Sequence, residues 1–246
     1  MFNTLFRGRK KHPFDLNQLK VDMHSHLIPG IDDGSPSMQA TIEMLKGFVD
    51  LGYEKVITTP HIMFDFYKNT PKIIRDGLAD VQNEIRNQQI PITLEAAAEY
   101  YFDEHFLSLI DKDELLTFGN RHLLFEFSFR TKPNGVDEVV FELKSKGYQP
   151  ILAHYERYLF FLSDGVKPAE KLKSKGVEIQ MNLNSLTGYY GQKVKRQAEL
   201  LVDANLIDYL GTDCHRLVHL EMIKANLDSK YFRKLNEMTF KNADLY

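Results

Sequence analysis

One cysteine, Cys214, stands in 246 residues, which excludes an intrachain disulfide and fits a reducing cytoplasm. No run of about 18 apolar residues occurs, so the expectation is a protein without a spanning helix. The opening MFNTLFRGRKKHP sets basic residues after a few apolar ones and lacks the apolar core of a secretory signal. Residues 1–20 read instead as a basic arm, solvated and flexible at its start. Acidic and basic residues nearly balance, and the net value of −3 gives no global attraction to nucleic acid or to an anionic membrane. Low-complexity tracts, linkers and internal repeats of 20 to 50 residues are also missing. What remains is a globular composition, 43% hydrophobic and 26% charged, with residues 21–246 read as one domain.

The chain is organised around residues 21–34, VDMHSHLIPGIDDG. A short apolar run ends in an aspartate and a His-x-His pair. Strand residues two apart share a face, so His24 and His26 can aim at one point. Imidazole with nearby carboxylate suits zinc, manganese or iron, although one such pair is weak evidence alone. Ser35 or Ser37 can then cap a helix with Ile42, Leu45, Phe48 and Val49 on its apolar face, ending at Gly52. KVITTPH follows as a strand with His61 just past its end. A helix over 71–89 leads to a strand over 90–100, where Pro91 and the β-branched start outweigh the helical reading of the alanine run, and Glu99 falls near its end.

Residues 101–120 read as a short helix and a loop. HLLFEFSF places Glu126 among large apolar residues, where a carboxylate is costly unless paired, hydrogen-bonded or bound to metal. After a helix over 136–146, YQPILAHYERY delivers His154, with Arg157 three residues on. A helix over 167–175 precedes VEIQMNLNSL, a strand with no evident ligand whose Asn182 and Asn184 either bond to neighbouring ligands or close a turn. A helix over 192–204 leads to LIDYLGTDCHR, where Asp213 and His215 mirror the first pair. The remaining C-terminal stretch reads as one or two helices packed outside.

Seven short strands, each but the last followed by a helix, imply parallel pairing with right-handed crossovers. Ligand types at strand C-termini are where (β/α) barrels put their sites. The expected fold is α/β, a distorted (β/α)7 barrel, with an open doubly wound sheet as the alternative. His24, His26, Asp33, His61, Glu99, Glu126, His154, Asp213 and His215 exceed the needs of one ion. Two or three ions sharing a carboxylate account for them, and such centres serve hydrolysis at phosphorus.

DMHSH, TPH, the glutamates of AAAEYY and LLFEF, LAHYERY and GTDCHR resemble, in order and spacing, the PHP (polymerase and histidinol phosphatase) superfamily. HLIPGIDDG with LAHYERY is most similar to its bacterial capsule and exopolysaccharide protein tyrosine phosphatases. The resemblance, over residues 21–216, implies a trinuclear site with manganese foremost and iron, zinc or cobalt as alternatives. It assigns His24, His26, Glu99 and Asp213 to one ion, and Glu99, Glu126 and His154 to a second. Asp33, chosen over Asp32, joins His61 and His215 at a third. Ile62 and Tyr155 depart from the family pattern beside the ligands. The implied reaction is attack of a metal-bound hydroxide on phosphotyrosine, in the tyrosine-rich tail of a bacterial tyrosine kinase that controls polysaccharide synthesis. Histidinol phosphate hydrolysis, or kinase binding without catalysis, is the alternative.

Arg157 and Arg216 are the candidate phosphate-binding residues, since a guanidinium fork can hold two phosphoryl oxygens. Cys214 has Leu220 where a Cys-x5-Arg phosphate loop needs arginine, so it reads as a small buried residue.

Overall fold

The computed structural model describes residues 12–246, and within them short apolar runs alternate with capped helices. Residues 1–11 of the basic arm lie outside the described residues. Of the rest of that arm, Phe14, Leu16 and Leu19 are buried in the core. The first strand, β1 (Val21–Asp22), is followed by α1 (Met38–Asp50), whose N-cap is Ser37, with its hydroxyl accepting from the Ala40 amide. Ser35 is instead buried and accepts a hydrogen bond from the Thr41 hydroxyl.

The second and third expected strands are each broken in two. KVITTPH divides into β2 (Lys55–Thr58) and β3 (His61–Ile62), with Pro60, which has no amide proton for a ladder, at the break. After α2 (Pro71–Asn87), the alanine-containing run forms β4 (Thr93–Ala96) and β5 (Glu99–Tyr101), so its strand reading holds. Next come α3 (Glu104–Lys112), β6 (His122–Glu126), α4 (Val136–Ser145), β7 (Gln149–Leu152) and α5 (Lys167–Ser174). β8 (Glu178–Asn182) stops earlier than expected, because residues after Asn182 turn into the short α6 (Leu183–Thr187). The chain ends with α7 (Gln192–Ala204), β9 (Tyr209–Gly211), α8 (Leu217–Asn226), α9 (Lys230–Leu235) and a 3-10 turn, Lys241–Leu245.

All strand pairs are parallel, in the orders β1-β2-β4 and β3-β5-β6-β7-β8-β9. Amides bridge the breaks: Ala97 donates to the Thr58 carbonyl and Glu99 to that of Pro60. The wall closes on itself where Ser25 pairs with Cys214, through His26 N–H to Cys214 O at 2.9 Å and Asp213 N–H to His24 O at 2.8 Å. The fold is a single-domain α/β distorted barrel with seven strand positions. An interior cluster including Val21, Ile57, Leu124, Ile151 and Tyr209 fills it, and Phe118 and Leu245 join that cluster.

Below the Ser25–Cys214 bridge the seam between β1 and β9 has no ladder, and Asn242 takes its place. Its amide nitrogen donates to Val21 O at 2.9 Å and Leu210 O at 2.7 Å, and its Oδ1 accepts the Leu210 amide at 3.0 Å. The C-terminal stretch is thus two outer helices plus a turn that enters the barrel floor, beyond the outer packing expected of it. Asn242→Ala should lower unfolding stability by roughly 2–4 kcal/mol, since it strands buried backbone groups. Urea unfolding checks this.

Candidate active site

Parallel strands place their C-terminal ends on one rim, and all nine candidate ligands meet there. His24 and His26 follow β1, His61 opens β3, Glu99 opens β5 and Glu126 ends β6. His154 follows β7, and Asp213 and His215 follow β9. His154 and Asp213 are held at positive φ, 31° and 50°, a left-handed conformation unfavourable to residues with a Cβ. Such strain persists where the surrounding structure over-determines it, commonly at functional sites.

One grouping is made by His24 Nε2, His26 Nε2, Glu99 Oε2 and Asp213 Oδ1. His24 lies 3.4 Å from His26, 3.3 Å from Glu99 and 3.4 Å from Asp213. His26 lies 3.4 Å from Glu99 and 3.5 Å from Asp213. Two donors 3.3–3.5 Å apart match bonds of about 2.1 Å to a shared tetrahedral ion, the bond length that zinc takes to nitrogen and oxygen donors. Glu99 turns its other oxygen to His154 Nε2 at 2.9 Å, which is 3.6 Å from Glu126 Oε2. Asp33 Oδ1 lies 3.5 Å from His61 Nε2 and 3.4 Å from His215 Nε2. His61 also turns Nδ1 toward Glu99 and Glu126, 3.1 Å from each, so its ring stands between the second and third groupings.

Of the paired aspartates, Asp33 reaches the donor cluster while Asp32 stands behind it. Asp32 Oδ2 is 2.7 Å from His26 Nδ1 and accepts the His61 amide, leaving His26 Nε2 to face the cluster. This fold-back leaves no space at Gly34, where a Cβ would lie 2.3 Å from that of His26.

Burial opposes every charge here, and the neighbours decide the outcome. Burial would raise Glu99 and Asp213, yet the facing imidazoles hold both well below the usual carboxylate range. Burial would lower His24 and His61, but Glu99 with Asp213 raises the first, and Glu126 with Glu99 takes the second up to about 9. For His154 burial prevails and its pKa falls. Glu99 Oε2 is buried without a hydrogen bond although ring nitrogens surround it. An acceptor-only oxygen amid imidazoles, with nitrogen and oxygen donors at coordination spacing, fits a cluster of divalent cations. Since ligands must shed protons to bind metal, ion uptake would release them.

A cavity of about 470 Å³ opens over the cluster, lined by Arg157, Arg216, Tyr101, Phe129, Tyr189 and Tyr190 among others. The Arg157 guanidinium lies 4.2 Å from the Phe129 ring centroid and 4.3 Å from that of Tyr190, and donates to Asp213 Oδ2 at 3.0 Å. Arg216 is exposed at the rim. Of the tyrosines flanking the sequence motifs, Tyr100, Tyr155 and Tyr158 are fully buried and only Tyr101 reaches the cavity. Tyr189 and Tyr190 were not legible as lining residues, since no ligand motif adjoins them, and Phe129 read as one more apolar residue of the run that carries Glu126. Asn182 donates to Asp213 Oδ2 at 2.7 Å, whereas Asn184 donates to the His219 carbonyl between helices. Gln180 was also missed, though a glutamine inside the apolar run of β8, two residues before Asn182, was a usable signal.

Glu156 is buried behind Asn182, accepting from its amide at 2.9 Å and from the Ser185 hydroxyl. Burial pushes its pKa up to about 7 from 4.5. The folded state therefore favours the protonated acid, and stability falls as pH rises from the unfolded pKa through the folded one. Glu156→Gln keeps an acceptor oxygen but cannot ionise. It should stabilise by up to about 3 kcal/mol near pH 8 and much less near pH 5, as measured by urea unfolding at both.

Residues 20–244 match the family model described as capsular polysaccharide synthesis, CpsB/CapC. The chain is similar to the tyrosine-protein phosphatase YwqE of Bacillus subtilis, 29% identical over 230 residues, covering 92% of this chain and 90% of that one. It superposes with a TM-score of 0.77 and 26% identity on a structure from work on YwqE and Streptococcus pneumoniae CpsB, described as unique metal-dependent tyrosine phosphatases. That likeness covers 89% of this chain and 96% of the other. A histidinol phosphate phosphatase of Lactococcus lactis, solved with zinc, L-histidinol and phosphate, shares the fold. Its TM-score is 0.52 at 16% identity, over 86% of this chain and 93% of that one.

Proposed function

The chain belongs to the capsular polysaccharide synthesis CpsB/CapC family, and from that membership we propose that it is a metal-dependent protein tyrosine phosphatase. The observation that carries the reading is the donor set of His24, His26, Glu99 and Asp213, spaced 3.3–3.5 Å apart in five of its pairs. These four would hold one ion, Glu99, Glu126 and His154 a second, and Asp33, His61 and His215 a third. Bound there, the ions would supply Lewis acidity toward water and toward the phosphoryl oxygens. Manganese is the first choice, and the donor types also suit iron, cobalt or zinc.

The chain's own residues do the rest. Arg157, fixed between two rings and tied to Asp213 through one nitrogen, has further N–H groups for the phosphoryl oxygens. Arg216 adds charge at the mouth. Phe129, Tyr189, Tyr190 and Tyr101 give the substrate's phenyl ring an aromatic wall. Cys214 is buried, and burial pushes its thiol well above the ordinary value, so no thiolate nucleophile takes part.

The partner that this chemistry fits is a phosphotyrosine-bearing protein, and we assign it to a bacterial tyrosine kinase controlling polysaccharide synthesis, in the cytoplasm. Among the described residues no helix is long and apolar enough to cross a membrane. A histidinol phosphatase reading rests on the fold alone. The test is turnover by metal-stripped protein, with manganese, iron, zinc or cobalt restored in turn. Substrates are a phosphotyrosine peptide, a phosphoserine peptide and histidinol phosphate. Ion-dependent preference for phosphotyrosine is expected, and preference for either other substrate would overturn the reading.

A further inference from the structure

We propose that Gln180 and Asn182 of β8 are positioning residues, forming a one-way hydrogen-bond chain that makes His24 and Asp213 depend on each other. The inference rests on reading those two as metal ligands, and one of its tests needs no metal. β8 contributes no donor to the cluster, yet its two buried amides, side by side at residues two apart, span the space between ligands from opposite ends of the chain. Gln180 Oε1 lies 3.0 Å from His24 Nδ1 and 2.8 Å from the His154 amide nitrogen. Its Nε2 lies 2.8 Å from Asn182 Oδ1, and Asn182 Nδ2 lies 2.7 Å from Asp213 Oδ2. Gly211 makes room for the crossing, since a Cβ there would lie 2.7 Å from Gln180 Nε2 and 2.9 Å from His24 Cβ.

Direction in this chain is forced from both ends. The His154 backbone N–H can only donate, so Gln180 must turn its oxygen that way. The Asp213 carboxylate can only accept, so Asn182 must turn its nitrogen toward it. Both orientations agree in the middle, where Gln180 donates to Asn182. With Gln180 oxygen facing His24, Nδ1 must carry the proton, and Nε2 presents its lone pair to the donor cluster. At the other end Asp213 Oδ2 is taken by Asn182 and Arg157, which leaves Oδ1 for the cluster. The amide pair thus sets the tautomer of one ligand and the aim of another.

Two experiments test this. Gln180→Glu keeps the acceptor toward His24 and His154 but cannot donate, so Asn182 meets carboxylates on both sides. When Asn182 turns its nitrogen to residue 180 it leaves Asp213, so zinc titration of the metal-free variant should show the site that Asp213 shares with His24 weakened by roughly 10–100-fold, the cost expected when a ligand loses its outer partner, while tight binding elsewhere persists. Unchanged affinity at every site would overturn the proposal. The second experiment is a double-mutant cycle on metal-free protein. The cycle is run in an Arg157→Ala background, which removes the second donor to Asp213 Oδ2, so that with Gln180→Glu and Asp213→Asn together the chain can run in reverse, from residue 213 through Asn182 to residue 180. The double variant should have a higher urea midpoint than the two single losses predict by addition, and strict additivity would contradict the chain. If wild type binds no zinc, the metal reading fails, while the cycle still decides whether the chain exists.

Discussion

Glu99→Gln is expected to lower kcat on a phosphotyrosine peptide by roughly 10³ or more, at least the cost of removing one strong electrostatic contact from a transition state. Glu99 is the residue on which two donor groupings depend. One oxygen faces His24, His26 and His61 at 3.1–3.4 Å and the other faces His154 at 2.9 Å. Glutamine matches the shape but removes the charge, and its amide nitrogen can serve as a ligand in neither grouping. Fewer bound ions should accompany the kinetic loss, and metal analysis of the purified variant checks that. Full ion content with normal kcat would mean that the carboxylate only pairs with histidines.

Arg157 should give the next largest effect, with a different signature. Arg157→Ala is expected to lower kcat/KM by roughly 10²-fold, and Arg157→Lys should recover little. An ammonium cannot lie flat between Phe129 and Tyr190, nor offer parallel N–H groups to two phosphoryl oxygens while also bonding Asp213. Ion content should stay near that of wild type, because Asp213 retains its bond from Asn182. If the ions leave along with activity, Arg157 supports Asp213 and does not bind phosphate.

Ligand types at the ends of apolar runs made the cluster readable, because a parallel barrel turns separation along the chain into proximity at one rim. Glu126 could be singled out from its apolar neighbours alone, and Asp213 and His215 from their echo of the first pair. Tertiary contacts hid the rest. Whether Asp32 or Asp33 faced the cluster depended on how the loop folds back past Gly34, which no local pattern encodes. The breaks at Pro60 and after Ala96 raised the strand count without altering the order of the wall. Asn242 looks like any surface asparagine until β1 and β9 are seen to meet without a ladder. Gln180 stands out as a polar residue inside the apolar run of β8, but its partners emerge only once His24, His154 and Asp213 surround it. The aromatic wall falls to Phe129, Tyr189 and Tyr190, while Tyr100, Tyr155 and Tyr158, nearer the motifs, turned inward to pack.

The central claim is that these donors hold a cluster of cations. Anomalous diffraction from crystals grown with manganese tests it most directly. A peak is expected about 2.0–2.3 Å from His24 Nε2, His26 Nε2, Glu99 and Asp213, with neighbouring peaks beside Glu126 and His154 and beside Asp33 and His215. Manganese-saturated crystals with no peak among those first four residues would contradict it.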